Sequence, residues 1–245
     1  MPFSRFRCPL TAGLLIIAGV AQAENPKTEL PATLDAPVIV EQMQRHSRSQ
    51  AEELKHYQEL RHYQVQYRGF SANLVGKMDV SVTFDAATGK SFRIVSQSGS
   101  KLLCDRVLKK AVDSEAEAAR DQNATALTPA NYKFALAGTE IVDGRSAYIL
   151  DVEPVKDSKF LYRGKVWVDA ADFAVIRIKA EPARNPSFWI LRPQITFTSA
   201  KTGEFWLPAS NRSETRVRVG GTAVLTIDYG TYQIDDGPSQ ASATR

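Results

Sequence analysis

Three histidines, His46, His56 and His62, are the residues of this 245-residue chain best suited to acid–base or metal chemistry. His46 and His56 are ten positions apart, and a helical metal site uses a spacing of three or four. The chain has no Gly-x-Ser-x-Gly elbow, phosphate-binding loop, His-Glu-x-x-His run or paired-cysteine knuckle. We therefore expect no catalytic residue, metal site or cofactor, and no enzymatic activity.

Two pairs of acidic residues, Asp169/Asp172 and Asp235/Asp236, could bind calcium or act in acid–base chemistry. Both pairs lie at the ends of predicted strands, where Asp is favoured because its side chain bonds the backbone of its own turn. The turn interpretation is preferred for both.

Arg212, Glu214, Arg216 and Arg218 alternate along one predicted strand. Such a face could follow a polyanion, but a solvated outer face that protects a sheet edge is the commoner arrangement. Since no aromatic residues are interleaved with these charges, we expect no nucleic-acid partner.

The N-terminus has the layout of a secretory signal peptide. Arg5 and Arg7 precede an uncharged apolar run at residues 10–20, and residues 21–23 have the small-x-small pattern of a cleavage site. We expect residues 1–23 to be removed and the remainder to be a soluble protein outside the cytoplasm.

The composition, 43% hydrophobic and 24% charged, is that of a globular protein. We predict a flexible lead-in at residues 24–36, one domain at residues 37–236 and a flexible tail at residues 237–245. Loss of the two leader arginines lowers the formal net charge from +4 to +2. Cys104 is then the only cysteine, so no intrachain disulfide can form, and we expect it to be a small buried core residue.

The elements that position these residues follow from hydrophobic periodicity. In the run from Tyr162 to Asp169, Val166 and Val168 share one face, and Lys165, Trp167 and Asp169 share the other. In the run from Phe173 to Lys179, Ala174, Ile176 and Ile178 share one face, and Val175, Arg177 and Lys179 share the other. This pattern predicts a β-hairpin with one buried face. Similar alternation predicts three strands around Tyr63–Arg68, Met78–Phe84 and Phe92–Ile94, and further strands at Tyr132–Val142, Ala147–Glu153, Leu191–Ser199, Phe205–Arg218 and Ala223–Ile234.

Two segments have helical periodicity. The first starts at Pro37, with Asp35 as its cap, and its apolar stripe includes Ile39, Met43 and Tyr57, so we predict a helix to about Leu60. The second runs from Leu102 to about Asp121. The predicted fold is mainly β (α+β): a single large curved antiparallel sheet or unclosed β-barrel with a helical lid.

The inner face of such a sheet is the remaining candidate site. Alternation places six apolar residues on it as candidates for ligand binding: Val80, Val82, Val166, Val168, Ile176 and Ile178. Loosely packed helices would leave a lidded cavity suited to acyl chains, whereas tightly packed helices would leave an ordinary core. The sequence is compatible with both.

Several runs resemble the outer-membrane lipoprotein-sorting proteins, the periplasmic lipoprotein carriers of the LolA/LolB-like group. These runs are Ile141 to Pro154, Arg163 to Asp169, Phe173 to Pro182 and Phe205 to Pro208. The resemblance implies an unclosed β-barrel with a helical lid, a periplasmic location and a cavity for lipoprotein acyl chains or lipid. It also implies protein partners in the inner or outer membrane, and a non-carrying envelope sensor or interaction module is the alternative function.

The chain departs from the group at one position. The best-known carriers have an arginine just after the second strand that bonds to the lid, whereas this chain reads Phe84-Asp-Ala-Ala-Thr-Gly89 there. The resemblance therefore does not extend to the mechanism of lid release.

Overall fold

The computed structural model describes residues 34–235 except residues 71, 186 and 219. The predicted signal peptide, the lead-in up to residue 33 and the tail at residues 237–245 lie outside this range. Among the described residues, no helix is long and apolar enough to cross a membrane.

Within residues 34–235, helices occupy two of the described stretches. The first is α1, and the second is one helical segment made of α2, a π-helical turn and α3, followed by the short α4. Their bounds are Ala36–Glu53 for α1, Lys101–Leu103 for α2, Cys104–Leu108 for the π-helical turn, Lys109–Arg120 for α3 and Gln122–Thr125 for α4. We call residues 101–120 the second helical segment.

The described residues form eleven strands in one antiparallel sheet. Their bounds are β1 (His56–Arg68), β2 (Asn73–Asp85), β3 (Gly89–Gly99), β4 (Tyr132–Val142), β5 (Arg145–Pro154), β6 (Tyr162–Asp169), β7 (Val175–Pro182), β8 (Ile190–Thr202), β9 (Phe205–Val217), β10 (Thr222–Tyr229) and β11 (Gln233–Asp235). The strand order is β3-β2-β1-β10-β9-β8-β7-β6-β5-β4, and β11 pairs with β1. Because β3 and β4 are the two ends of this order, the sheet is open, which confirms the predicted unclosed architecture.

The sequence patterns located most elements within a few residues. Strands β4 and β6 have the predicted bounds, and the hairpin between β4 and β5 turns at Asp143 and Gly144, both with positive φ. A two-residue turn with positive φ at both positions matches the twist of the strands that it joins.

The end of the first helix was predicted wrongly. The helix α1 stops at Glu53, and β1 already begins at His56, so Tyr57 and Leu60 lie in a strand. Residues Tyr57, Glu59, Arg61 and Tyr63 are buried while the positions between them are not. The alternation is hidden in the sequence because two of its buried members are charged and Leu60 faces outward.

The pairing register defines an inner face, which the helices cover. Directly paired residues share a face of a sheet, so one row can be followed from strand to strand. This row runs through Val166, Ile178, Phe197, Asn211, Ile227, Tyr63 and Met78.

Helices cover the two ends of this row separately. Residues Ile39, Val40 and Met43 of α1 pack on Val166, Leu150 and their neighbours, and we call this the α1 half. The second helical segment packs on Tyr63, Val80 and their neighbours through Leu103, Cys104, Leu108 and Val112, and we call this the α3 half. The burial of Cys104 confirms the prediction for that residue.

A central strip separates the two halves. Its inner residues Ile195 and Phe197 on β8, and Asn211 and Ser213 on β9, are half-buried and belong to neither core cluster. The helices therefore close the inner face in two blocks and leave the middle of the sheet less covered.

The turn between β6 and β7 is organised by a buried carboxylate. Asp169 accepts hydrogen bonds from the backbone N–H groups of Ala171 (3.0 Å) and Asp172 (2.8 Å), which confirms the turn interpretation of the first acidic pair. Arg145 also donates to both of its oxygens, at 2.6 and 2.9 Å. Such a bidentate pair fixes the geometry of the hairpin.

We expect Asp169→Ala to lower the free energy of unfolding by about 3 kcal/mol. The substitution removes the bidentate acceptor of Arg145, which keeps only Asp172 at 3.2 Å, and leaves two turn N–H groups without their acceptor. Urea denaturation followed by circular dichroism measures the change. The matched control is Asp151→Ala, which breaks an exposed pair with Lys165 and should cost less than about 1 kcal/mol. Equal losses in the two variants would contradict the role of Asp169.

Candidate ligand site on the inner face

Four of the six predicted inner residues are fully covered by helices. Val80 and Val82 lie in the α3 half and Val166 and Val168 in the α1 half, each with 0% of its surface exposed. They form packed core in this structure. A ligand could contact them only after a helix moves.

The other two predicted inner residues, Ile176 and Ile178, lie in different clusters. Ile178 packs at the edge of the α1 half, but Ile176 lies in a different cluster with Trp167, Ala147 and Val142 on the outer face. The inner placement of Ile176 is therefore corrected. Trp167 pairs with Arg177 and Val168 with Val175, so Ile176 is the extra residue of a β-bulge, and alternation breaks at that point.

The second helical segment starts very close to the sheet. A Cβ atom at Gly76 on β2 would lie 3.0 Å from the Cβ of Leu103 and 3.4 Å from the Sγ of Cys104. The Cys104 thiol contacts the backbone oxygens of Ser98 (3.4 Å) and Lys77 (3.6 Å). The π-helical turn begins at Cys104, where the helix meets β2 and β3.

A buried polar cluster fastens α3 to the sheet. We call it the Arg61 cluster, and its members are Glu59, Arg61, Tyr63, Glu115 and Tyr229. Arg61 bonds Glu59 Oε1 through Nη2 (2.6 Å) and Nε (2.9 Å), and its Nη1 bonds Glu115 on α3. The Tyr63 hydroxyl donates to the other oxygen of Glu115 at 2.9 Å, and the Arg61 guanidinium lies 4.6 Å from the centre of the Tyr229 ring.

Burial and the neighbouring groups have opposite effects on the pKa of Glu115 in this cluster. Burial raises the pKa of Glu115, although Arg61 and the hydrogen bond from Tyr63 act to lower it. Burial also raises the pKa of Tyr63, which keeps its hydroxyl protonated as a donor. Among the described residues, Glu59 Oε2 has no hydrogen-bond partner although it is buried. Buried charges contribute little net stability but fix one arrangement, since losing one partner leaves another charge uncompensated.

The sequence patterns missed the Arg61 cluster. The helical pattern extends through Glu59 to about Leu60, and the family resemblance places a lid-bonding arginine only after the second strand. The available signal was that Glu59, Arg61 and Tyr63 have the same parity as Val65, which marks them as inner residues of one strand.

Helix α1 has its own attachment to the sheet. Gln50 donates from Nε2 to the backbone oxygen of Trp206 (3.0 Å) and accepts from the backbone N–H of Trp206 (2.8 Å). On the side of the edge strand β4, a groove of about 560 Å³ lies between α1 and the sheet. Its apolar lining includes Val40, Tyr132 and Phe134.

One set of polar residues on the outer face could suggest catalysis. His62 Nδ1 lies 2.7 Å from Asp79 Oδ1, and the Ser96 hydroxyl donates to Asp79 Oδ2 at 2.6 Å. The carboxylate stands between the serine and the histidine, whereas nucleophilic catalysis requires the base to contact the hydroxyl. These contacts are those of a surface hydrogen-bond group.

The alternating arginine strand is solvated as predicted but does not protect an edge. Arg212, Glu214 and Arg216 are exposed, yet β9 lies between β8 and β10 in the interior of the sheet. The edge interpretation is therefore wrong. The second acidic pair ends at Asp236, which lies outside the described residues.

No family model matches this chain. No curated protein matches it by sequence. Solved structures that resemble it include a DUF1329 family protein from Desulfovibrio piger, with 14% identity and a TM-score of 0.45 over 85% of this chain and 97% of that one.

Two further similar structures carry names from the group that the sequence runs resemble. A LolA superfamily protein from Nitrosomonas europaea has 12% identity and a TM-score of 0.38 over 84% of this chain and 96% of that one. A domain named for outer membrane lipoprotein sorting, from Vibrio parahaemolyticus, has 11% identity and a TM-score of 0.39 over 82% and 94%.

We expect Glu115→Gln to loosen α3 without unfolding the sheet, because Arg61 loses its charged partner on the helix. The cost of about 1–3 kcal/mol corresponds to amide hydrogen exchange that is about 5- to 150-fold faster in residues 109–120. Mass spectrometry of exchanged peptides measures this, with the peptides of α1 as an internal reference.

The matched control is Glu117→Gln on the same helix. Glu117 pairs with Lys159, and both side chains are 51% exposed, so exchange should change less than about threefold. If both variants exchange alike, the Arg61 cluster does not hold α3.

Proposed function

We propose that this protein is a periplasmic binder or carrier of a hydrophobic ligand, a lipoprotein acyl chain or a lipid, that acts in outer-membrane lipoprotein sorting. The observation that carries the proposal is the construction of the inner face. Apolar side chains occupy most of the inner face of an open sheet, with Asn211 and Ser213 on β9 between two apolar halves, and two separate helical elements cover these halves.

The central strip supports the proposal as an entry point. Ile195 and Phe197 present apolar surface there, and Asn211 and Ser213 offer polar groups beside it. A site that is mostly apolar with a few polar groups suits a chain with a polar head. The ligand would first contact this strip and then extend beneath a displaced helix.

The second helical segment is the more suitable lid. It is attached at its start by close packing on Gly76 and at its middle by the Arg61 cluster. Displacing it exposes Val80 and Val82 while the α1 half stays folded. In this proposal the cluster sets how readily the lid opens, since its buried charges hold one arrangement without adding much stability.

We expect Phe197→Glu to reduce the affinity for a fluorescent fatty acid at least about tenfold, since a carboxylate at the strip opposes an apolar chain. Fluorescence titration of the delipidated protein measures this. The matched control is Thr196→Glu, the neighbouring residue on the outer face of the same strand, and it should leave the affinity unchanged.

Two results would contradict the proposal. One is that Phe197→Glu and Thr196→Glu bind the fluorescent fatty acid with equal affinity. The other is that native mass spectrometry of protein purified from the cell envelope finds no bound lipid and that the fatty acid does not bind the unaltered protein.

The second candidate is a non-carrying envelope sensor or interaction module with the same fold. The complete burial of Val80, Val82, Val166 and Val168 favours it, because both helix-covered halves are filled core. This function predicts that affinity purification recovers one protein partner, and that Phe197→Glu leaves recovery of that partner unchanged.

A further inference from the structure

Three large aromatic side chains are exposed at one end of the sheet. Phe70 follows β1 and is 99% exposed, while Phe188 and Trp189 precede β8 and are 66% and 56% exposed. The loops that carry them, together with the turn from β9 to β10, cap strands β1, β8, β9 and β10. These strands include both strands of the central strip.

Direct contacts join the three loops into one surface. A Cβ atom at Gly220, in the turn from β9 to β10, would lie 2.9 Å from the Phe70 ring. In the same turn, Arg218 Nε donates to the backbone oxygen of Phe188 at 2.8 Å, and its guanidinium lies 4.2 Å from the centre of the Phe188 ring. The rings of Phe188 and Trp189 meet edge to face at 5.3 Å.

Positive charge predominates in the loops that carry these rings. The segments 68–73, 182–192 and 215–223 contain five arginines and no Asp or Glu. These arginines are Arg68, Arg184, Arg192, Arg216 and Arg218, and all five are exposed. Arg184 forms an exposed ion pair with Asp157 of a neighbouring loop at 3.9 Å, which offsets part of its charge.

We propose that this aromatic–arginine rim docks on the surface of an anionic lipid bilayer. When exposed Trp and Phe side chains enter the headgroup region, their apolar surface is removed from water, and amphipathic rings are preferred at this depth. Arginines around them bind lipid phosphates, and their attraction to an anionic leaflet adds over several residues. The predominantly positive surround fits an anionic bilayer better than a protein surface of mixed charge or a second copy of this rim.

Docking would place the central strip at the membrane. The rim is formed by the ends of β8 and β9, which carry Ile195, Phe197, Asn211 and Ser213 along their length. A lipid chain could then pass between the bilayer and the strip without crossing water. The rim itself binds the bilayer whether or not the inner face holds a ligand.

Vesicle flotation tests the proposal with the protein free of added fatty acid. We expect the fraction bound to vesicles of phosphatidylcholine with about one-third phosphatidylglycerol to exceed the fraction bound to pure phosphatidylcholine about tenfold, and to fall in 0.5 M NaCl because salt screens the arginines. The triple variant Phe70→Ser, Phe188→Ser and Trp189→Ser should lose this binding. The control Val95→Ser with Ile141→Ser removes exposed apolar residues from strands β3 and β4 and should retain it.

Trp189 fluorescence tests whether the rim itself enters the bilayer. Brominated phosphatidylcholine in the vesicles should quench part of the emission in the unaltered protein, and this quenching should disappear in Trp189→Phe, which still floats with the vesicles. Trp167 is buried and Trp206 donates to Asp172 within the fold, so neither should be quenched.

Absence of binding to anionic vesicles overturns the proposal, as does binding that survives the triple variant. Self-association lost in the triple variant without vesicle binding would assign the rim to protein contacts instead. The fatty-acid titration is a separate measurement, so failure of membrane docking leaves the ligand-binding proposal standing and the reverse also holds.

Discussion

One open sheet cannot bury its own inner face, and this constraint shapes the rest of the molecule. The row from Val166 to Met78 crosses the sheet with apolar side chains at most positions, yet β3 and β4 do not meet to close it. Helices must supply the missing layer. Because they do so in two separate blocks, either block could in principle move while the other remains packed.

The two blocks are held by different chemistry. The α1 half combines apolar packing with the paired hydrogen bonds between Gln50 and Trp206, whereas the α3 half buries a charged cluster beneath the helix. A buried charged cluster in which one Glu59 oxygen lacks a hydrogen bond adds little net stability, but it specifies one closed arrangement of the helix on the sheet. This contrast is the basis on which we propose the second helical segment as the lid.

Much of the sheet could be predicted because its buried positions are apolar and alternate. Strands β4 and β6 illustrate this, and the six candidate inner residues were correctly grouped except for Ile176. Alternation failed where the structure departs from it physically. At the start of β1, charged Glu59 and Arg61 occupy buried positions, so the apolar alternation that marks a strand is missing. At Ile176 a β-bulge breaks the alternation, and it follows a turn in which Phe173 has φ 56°. Exposed Phe70 and Trp189 have no periodicity that distinguishes them from core residues, so the sequence does not predict the rim.

Whether the second helical segment leaves the sheet when a hydrophobic ligand binds is the central question. Spin labels at Glu117→Cys on α3 and Thr83→Cys on β2 report this distance by pulsed electron resonance. The labelled variants carry Cys104→Ala, because Cys104 is buried beneath the segment that is proposed to move. If the segment opens for the ligand, saturating fatty acid shifts the distances to longer values, and Glu115→Gln produces part of this shift without ligand. Ligand binding with an unchanged distance distribution would contradict it.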